Sequence, residues 1–229
     1  MDAPRSFDRP APLIVPAEAR TVLLFGGTFD PPHMAHTALA ISAALRVDPN
    51  AWLVFVPAAQ SPLKSEGPVA SDHDRVRMLE LALRGSARTC VWSEELQRPG
   101  PSYSIDTVRA ARAVLPPGTD VRLLIGSDQA AAFHLWRDAR QLASTTRPVV
   151  LLREPHLTRD DLAQTMRAAT FWSPQELVDW LSRVDPGERL PSSATDIRRR
   201  LAAGATDSEL ARELHPAVLK YIREHGLYR

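Results

Sequence analysis

Two histidines, His33 and His36, lie three residues apart in a segment that follows an apolar run and two adjacent glycines: TVLLF (21–25), then GGTFDPPHMAH (26–36). On a helix that spacing turns both imidazoles the same way. A buried strand running into glycines puts such a loop at the carboxyl end of a parallel sheet, where ligands of open α/β folds bind. Pro31 and Pro32 stiffen the turn and suit the first helical positions, where a missing N–H costs nothing. A helix beginning near His33 offers free N–H groups and the positive end of its dipole, a setting for phosphate. Imidazoles beside a bound phosphate can hold it and stabilise charge on a leaving group. A Gly-Gly pair after a strand also serves as a plain turn, and histidines at i, i+3 also arise on solvated faces. Their combination in one strand–loop–helix unit is what points to chemistry.

The segment lacks the G-x-G-x-x-G of dinucleotide binding and the G-K-[ST] of a P-loop. A helical zinc pair uses i, i+4 spacing, and no third ligand is evident, so no protein-held metal is assigned, with Asp128 the one candidate metal ligand. A second cluster lies late in the chain, PSSATDIRRRL (191–201). Ser193 with Asp196 three residues on predicts a capping box and a helix start. Three arginines then crowd the first turns, where the dipole disfavours cations. Side chains on a helix lean toward its N-terminus, so Arg198 points back at any anion bound there. Arg199 and Arg200 read as a solvated basic face.

These groups need a scaffold. Four apolar runs, 21–25, 51–56, 122–126 and 148–152, read as buried strands, with 89–92 a weaker fifth. Helical patterns at 34–46, 72–84 and 104–114 alternate with them, as in a parallel sheet covered on both faces. Beyond Pro155 the segments 159–169, 175–183, 195–203, 207–213 and 216–225 read as helices, with TFW (170–172) a short strand. The expected organisation is a poorly ordered extension over 1–20, rich in proline, and a single domain over 21–229.

Composition narrows the field. With 229 residues, 44% hydrophobic and a net charge of +1, the chain is too apolar for disorder and has no overall attraction for nucleic acid or anionic membrane. The lone Cys90 excludes an internal disulfide. No apolar run approaches the roughly 18 residues of a membrane span, and the N-terminus has no signal organisation, so a cytoplasmic protein is expected. Glycine is scarce, 10 residues in all, which makes Gly26, Gly27 and Gly126 at strand ends informative.

GGTFDPPHMAH resembles the G-x-F-x-P-x-H-x-G-H signature of the nucleotidyltransferase superfamily, with Ala35 in place of the usual glycine. PSSATDIRRRL resembles its I-S-S-T-x-I-R element, with Ala194 replacing a serine. Four further segments resemble bacterial nicotinate mononucleotide adenylyltransferases in their order: PSYSIDTV (101–108), LLIGSDQ (123–129), FHLWRDARQL (133–142) and LHPAVLKYIREHGLY (214–228). The resemblance implies a Rossmann-like doubly wound parallel sheet with a helical C-terminal part. It implies an enzyme of NAD biosynthesis that takes ATP, with Mg²⁺, and nicotinate mononucleotide as substrates.

The resemblance also implies roles. His33, His36 and Arg198 would be catalytic. Gly26, Gly27, Thr28, Phe29, Gly126, Asp128, Ser193 and Thr195 would bind ATP. Lys64, Tyr103, Ser104, Asp106, Thr107, Trp136 and Arg137 would bind the mononucleotide, Trp136 stacking on the pyridine ring, and Thr107 and the Arg137 backbone taking the carboxylate. Arg75 and Arg153 are further phosphate candidates. Trp136 fits core packing as well, and Trp52, Trp92, Trp172 and Trp180 read as packing. Residues 170–191 are longer and more helical than the family's usual link and have no assigned role. Nicotinamide mononucleotide as acceptor, and a sensor that binds nucleotide without turnover, stay open as alternatives, as does a homo-oligomer.

Overall fold

A computed structural model of the chain describes residues 12–59, 67–187 and 192–229. Five parallel strands form its centre: β1 (Thr21–Gly27), β2 (Trp52–Pro57), β3 (Thr89–Val91), β4 (Asp120–Gly126) and β5 (Val149–Leu151). Their order is β3-β2-β1-β4-β5. Every pairing is parallel, and Phe25 of β1 stands between Phe55 of β2 and Leu124 of β4. The chain winds outward from β1 in one direction and then in the other. The carboxyl ends of β1 and β4 therefore diverge into a crevice, the place where open α/β sheets bind ligands.

Alternation along each strand sorts the core into two faces, because successive side chains of a strand point oppositely. Val22, Leu24, Val54, Val56, Leu123 and Ile125 pack on one side with α3 (Ser104–Val114), α5 (Ala139–Thr146), α6 (Arg159–Ala168) and α7 (Pro174–Ser182). Leu23, Phe25, Leu53, Phe55 and Leu124 pack on the other. There α1 (Met34–Val47) meets the sheet through Ala40, Ala43 and Ala44, small residues that let the helix lie close. α2 (Asp72–Ala82) lies on this face too, through Leu79. Its other side, with Met78 and Leu81, packs in a third cluster with α8 (Ala194–Ala202) and α10 (Pro216–His225). The doubly wound sheet and its helical C-terminal part are thus the expected architecture.

Three local expectations differ. TFW (170–172) does not form a strand: Thr170 takes a φ of 51° between α6 and α7, and the free side of β5 is met instead by Val184, bridged to Val150. The predicted helix 207–213 is short, α9 (Asp207–Leu210), after which Glu213 and Leu214 N–H groups both return to the Leu210 carbonyl. Of the predicted extension 1–20, residues 12–20 are described. Leu13 and Val15 pack on the first core face, and the Arg20 carbonyl accepts from Asp120 N–H. No helix among the described residues is long and apolar enough to cross a membrane.

The segment beyond α7 is tied down twice. The backbone around Val184 exchanges hydrogen bonds with Val150 of β5, at 3.0 and 2.8 Å. Asp185, nearly buried, takes both Nε and Nη2 of Arg46 on α1 at 2.7 Å. Such a fork fixes direction as well as distance.

Candidate active site

β1 delivers its last two glycines into a loop, Gly26–Pro32, that ends at His33, the cap residue of α1. The loop owes its shape to three anchors. Phe29 adopts a φ of 51°, a region that non-glycine residues rarely occupy. It is held there by burying its ring against Phe25 (5.6 Å), Phe55 (5.8 Å) and His36 (5.3 Å). Gly27 must be glycine as a result, since a Cβ there would stand 2.9 Å from the Phe29 ring. The second anchor is Arg75 on α2. It is fully buried, donates to the Thr28 carbonyl at 2.7 Å and pairs with Asp72 at 2.5 Å. Arg75 is thus a brace beneath the loop and not an open phosphate contact.

The third anchor is Asp30, a residue the sequence pattern did not single out. Its carboxylate accepts from the backbone N–H groups of Val69 (2.7 Å) and Ala70 (3.1 Å) and from the Tyr228 hydroxyl (2.6 Å). Its carbonyl accepts from Arg198 Nη1 at 2.7 Å. One buried residue so joins the loop to the start of α2, to α8 and to the C-terminal tail. The hydroxyl of Tyr228 titrates well above the usual tyrosine range, because burial and the Asp30 carboxylate both disfavour its anion.

His33 and His36 stack, with ring centroids 3.7 Å apart and planes 25° apart. His33 is 4% exposed, and its Nδ1 is buried with no hydrogen-bond partner in the protein. Burial, with a smaller contribution from the Arg153 charge, lowers its pKa to about 4. At neutral pH it is therefore an uncharged imidazole that donates and accepts hydrogen bonds. Arg198 also reaches Thr195 Oγ1 at 3.4 Å, so it does turn back over the start of α8. The expected capping box is absent: the Ser193 side chain makes no cap bond. The Asp196 carboxylate is drawn off by Arg199, and by Arg200 at 3.5 Å. Arg199 stays exposed, as expected of a solvated basic face, whereas Arg200 is half-buried and bound to Glu213.

The opposite wall comes from α3, β4 and the turns after them. Gly126 ends β4 beneath an ion pair between Arg153 and Asp128, whose Nη2–Oδ2 distance is 2.6 Å. A side chain at Gly126 would fall inside that pair. Asp128 and Arg153, each expected to meet substrate or metal alone, are thus engaged with one another, and the Arg153 bond is among the causes that hold the Asp128 carboxyl below its usual range against burial. Thr107 is likewise engaged: its hydroxyl donates to Glu95 (2.5 Å) and accepts from Arg98 (2.6 Å). Glu95 is nearly buried, and desolvation raises its pKa. Trp136 lies flat on Phe133, centroids 4.5 Å and planes 21° apart. Arg137 stands over the Tyr103 ring at 5.2 Å.

These groups share one cleft of about 1210 Å³. Gly26, Gly27, Thr28, Phe29, His33, His36, Tyr103, Ser104, Thr107, Gly126, Asp128, Trp136, Arg137, Ser193, Thr195 and Arg198 all line it. Asp106 does not; it turns to Arg109 (3.2 Å) and Arg137 (3.9 Å). Lys64 lies outside the described residues. Among the described residues no group of three His, Cys, Asp or Glu side chains converges as a metal site.

A family model described as Cytidylyltransferase-like matches residues 24–200, spanning the histidine loop and the Arg198 helix. The chain belongs to the cytidylyltransferase-like family. Within it, the chain is 40% identical over 205 residues to a protein of Solibacter usitatus (strain Ellin6076) named probable nicotinate-nucleotide adenylyltransferase, covering 90% of this chain and 97% of that one. A protein of the same name from Bordetella petrii is 40% identical over 215 residues, with the same coverage. Among solved structures, this cytidylyltransferase-like chain resembles in fold Plasmodium falciparum nicotinic acid mononucleotide adenylyltransferase complexed with NaAD. The TM-score is 0.66 at 15% identity, over 91% of this chain and 97% of that one.

Two expectations follow for this cytidylyltransferase-like site. Replacing Tyr228 by Phe removes one hydrogen bond to a buried carboxylate and should lower stability by about 1.5–3 kcal/mol, read from urea unfolding; an unchanged midpoint would show the bond to carry nothing. His33 binds its proton more weakly folded than unfolded, so the unfolded chain gains protons first as pH falls below about 6.5, and stability drops with falling pH until about 4. Between pH 7 and 5 the wild type should lose about 2 kcal/mol more than His33→Gln, as compared by denaturant midpoints at both pH values.

Proposed function

We propose that the chain is a nicotinate-nucleotide adenylyltransferase, joining ATP and nicotinate mononucleotide to give nicotinate adenine dinucleotide and pyrophosphate. The observation that carries this is the convergence of the stacked His33–His36 pair, Arg198 and Trp136 on one cleft at the carboxyl ends of β1 and β4. A cation and two imidazoles suit a triphosphate. A flat indole face suits a pyridinium ring, a cation–π contact of up to about 2 kcal/mol when desolvated. The names of the similar relatives support the same reading.

In this reading a 5′-phosphate oxygen of the mononucleotide attacks the α-phosphorus of ATP. The bond to the bridging oxygen of the β-phosphate breaks, and pyrophosphate leaves with the electron pair. The histidines hold phosphate oxygens in this reading and form no bond to phosphorus, so transfer is direct and in line. Catalysis is then positioning and charge stabilisation. His36 holds the α- and β-phosphate oxygens as charge moves to the leaving group. His33, uncharged, orients the phosphates through a hydrogen bond, and Arg198 holds the β/γ end. Gly27, Thr28 and Phe29 cradle the phosphates with their backbone. Ser193 and Thr195 lie at the start of α8, where the helix dipole favours the same anion. Mg²⁺ bound with ATP would neutralise triphosphate charge, and Asp128, the carboxylate that would share it, is paired with Arg153.

The Thr107 hydroxyl is given to Glu95, so of the two groups named for the pyridine carboxylate the Arg137 backbone is the one that takes it. Nicotinamide mononucleotide differs by that one group and is the competing acceptor. A sensor without turnover has no need of two histidines and Arg198 together, which favours the enzyme.

Pyrophosphate release with ATP, Mg²⁺ and each mononucleotide in turn tests the assignment, and no release with either would sink it. In the same assay His36→Ala, verified as folded, should lose about 10²–10³ in kcat. Trp136→Ala should raise the KM for the mononucleotide about tenfold or more while leaving that for ATP nearly unchanged, whereas equal shifts in both would remove the stacking role.

A further inference from the structure

Residues 170–187 have no part in the chemistry above, yet they reach the acceptor end of the cleft from behind. Trp136 is half-buried and lines the cleft, so one of its two faces is the surface offered to a ligand. The other face is taken by Phe133, nearly parallel at 4.5 Å. Phe133 is itself fully buried and cannot set its own orientation by hydrogen bonds. What confines it is a second ring: Trp180 of α7 stands edge-on to it at 4.9 Å and 66°. Trp172, just before α7, closes on both, 5.4 Å from Trp180 and 6.3 Å from Phe133.

This stack has a rigid base. Ser173 and Glu176 cap α7 reciprocally, and Pro174 fills its first turn. At the far end the Val184–Val150 bridge and the Asp185–Arg46 fork fasten the segment to β5 and to α1. α7 is therefore fixed to the same sheet that carries the histidine loop. Aromatic pairs of this edge-to-face and offset kind prefer particular angles, so a ring fixed by two others loses its freedom to tilt.

We propose that Phe133 and Trp180 are positioning residues for the acceptor. They hold the Trp136 indole at the tilt that receives the pyridine ring, and the 171–180 segment is a buttress that sets mononucleotide affinity while leaving ATP binding alone. The inference rests on the acceptor role of Trp136 given above. Geometry separates the two substrates: the buttress touches the wall built by Trp136, whereas the phosphate loop and α8 are anchored through Asp30, Arg75 and Tyr228.

The test uses the full-length wild type, Trp180→Leu, Trp180→Phe and Phe133→Leu. Nicotinate mononucleotide is titrated without ATP while tryptophan emission is followed, and the KM of each substrate is measured by pyrophosphate release. The leucine variants should weaken mononucleotide binding and raise its KM about three- to tenfold, with the ATP KM moving less than about twofold. Trp180→Phe keeps a ring edge on Phe133 and should stay near wild type. If Trp180→Leu does not fold, Phe133→Leu carries the comparison, because it removes the ring under Trp136 and keeps most of the apolar volume. Unchanged mononucleotide affinity in a folded leucine variant overturns the proposal, as does a parallel rise in both KM values or a Phe variant as weak as the Leu variant. A wild type that turns over with nicotinamide mononucleotide and neither binds nor turns over nicotinate mononucleotide overturns the acceptor assignment itself, a result visible before any variant is made.

Discussion

The buried carboxylate of Asp30 decides the shape of the cleft. An ionised group out of water is costly unless its lone pairs are filled. Here they are filled by two backbone N–H groups ahead of α2 and by the Tyr228 hydroxyl. Its own carbonyl meanwhile places Arg198. Satisfying one charge thus brings together parts of the chain that share no strand and no turn. Without those partners the loop would hold an unpaired buried charge, and Arg198 would lose its fixed point on the loop. The histidine pair is a consequence of that arrangement, since His33 and His36 begin the helix that Asp30 and its two prolines lead into.

Much of this was legible from residue order. The alternation of apolar runs with helical patterns is the physics of a parallel sheet, and it located β1, β2, β4 and β5 within a few residues. The histidine loop and Arg198 declared themselves because each joins unusual residue types at helical spacing. What escaped were residues whose importance lies in a partner far along the chain. Asp30 in a proline-rich turn looks like any turn aspartate. Arg75 looks like an exposed helix arginine until the Thr28 carbonyl is seen above it. Asp128 and Arg153 each look free because their pairing spans 25 residues. Ser193 shows the reverse error: a sound local rule for a capping box was overridden because Asp196 had arginines nearer to hand. The short helix after Thr206 and the missing strand at 170–172 likewise follow from tertiary competition, the latter from Val184 occupying the sheet edge.

The two walls of the cleft are stabilised by different physics. The wall around Asp30 is a lattice of charge-assisted hydrogen bonds, directional and sensitive to protonation. The wall around Trp136 is a pile of rings, apolar and sensitive to shape. The electrostatic side can tolerate small shifts if its bonds re-form, whereas close-packed rings respond to the loss of a single one. This division explains why an uncharged His33 belongs where it does: buried, stacked on His36 and near the Arg153 charge, an imidazolium would be costly to hold.

The bond between Tyr228 and Asp30 spans 198 residues. During synthesis the loop leaves the ribosome early, among the first structured segments, and its lock arrives only after the sheet has been laid down. Contacts of such long reach form late, since the entropy of closing the intervening chain must be met first. A nascent chain would therefore carry the Asp30 turn without its lock until Tyr228 is made, well after the last strand, β5 (Val149–Leu151), has been laid down.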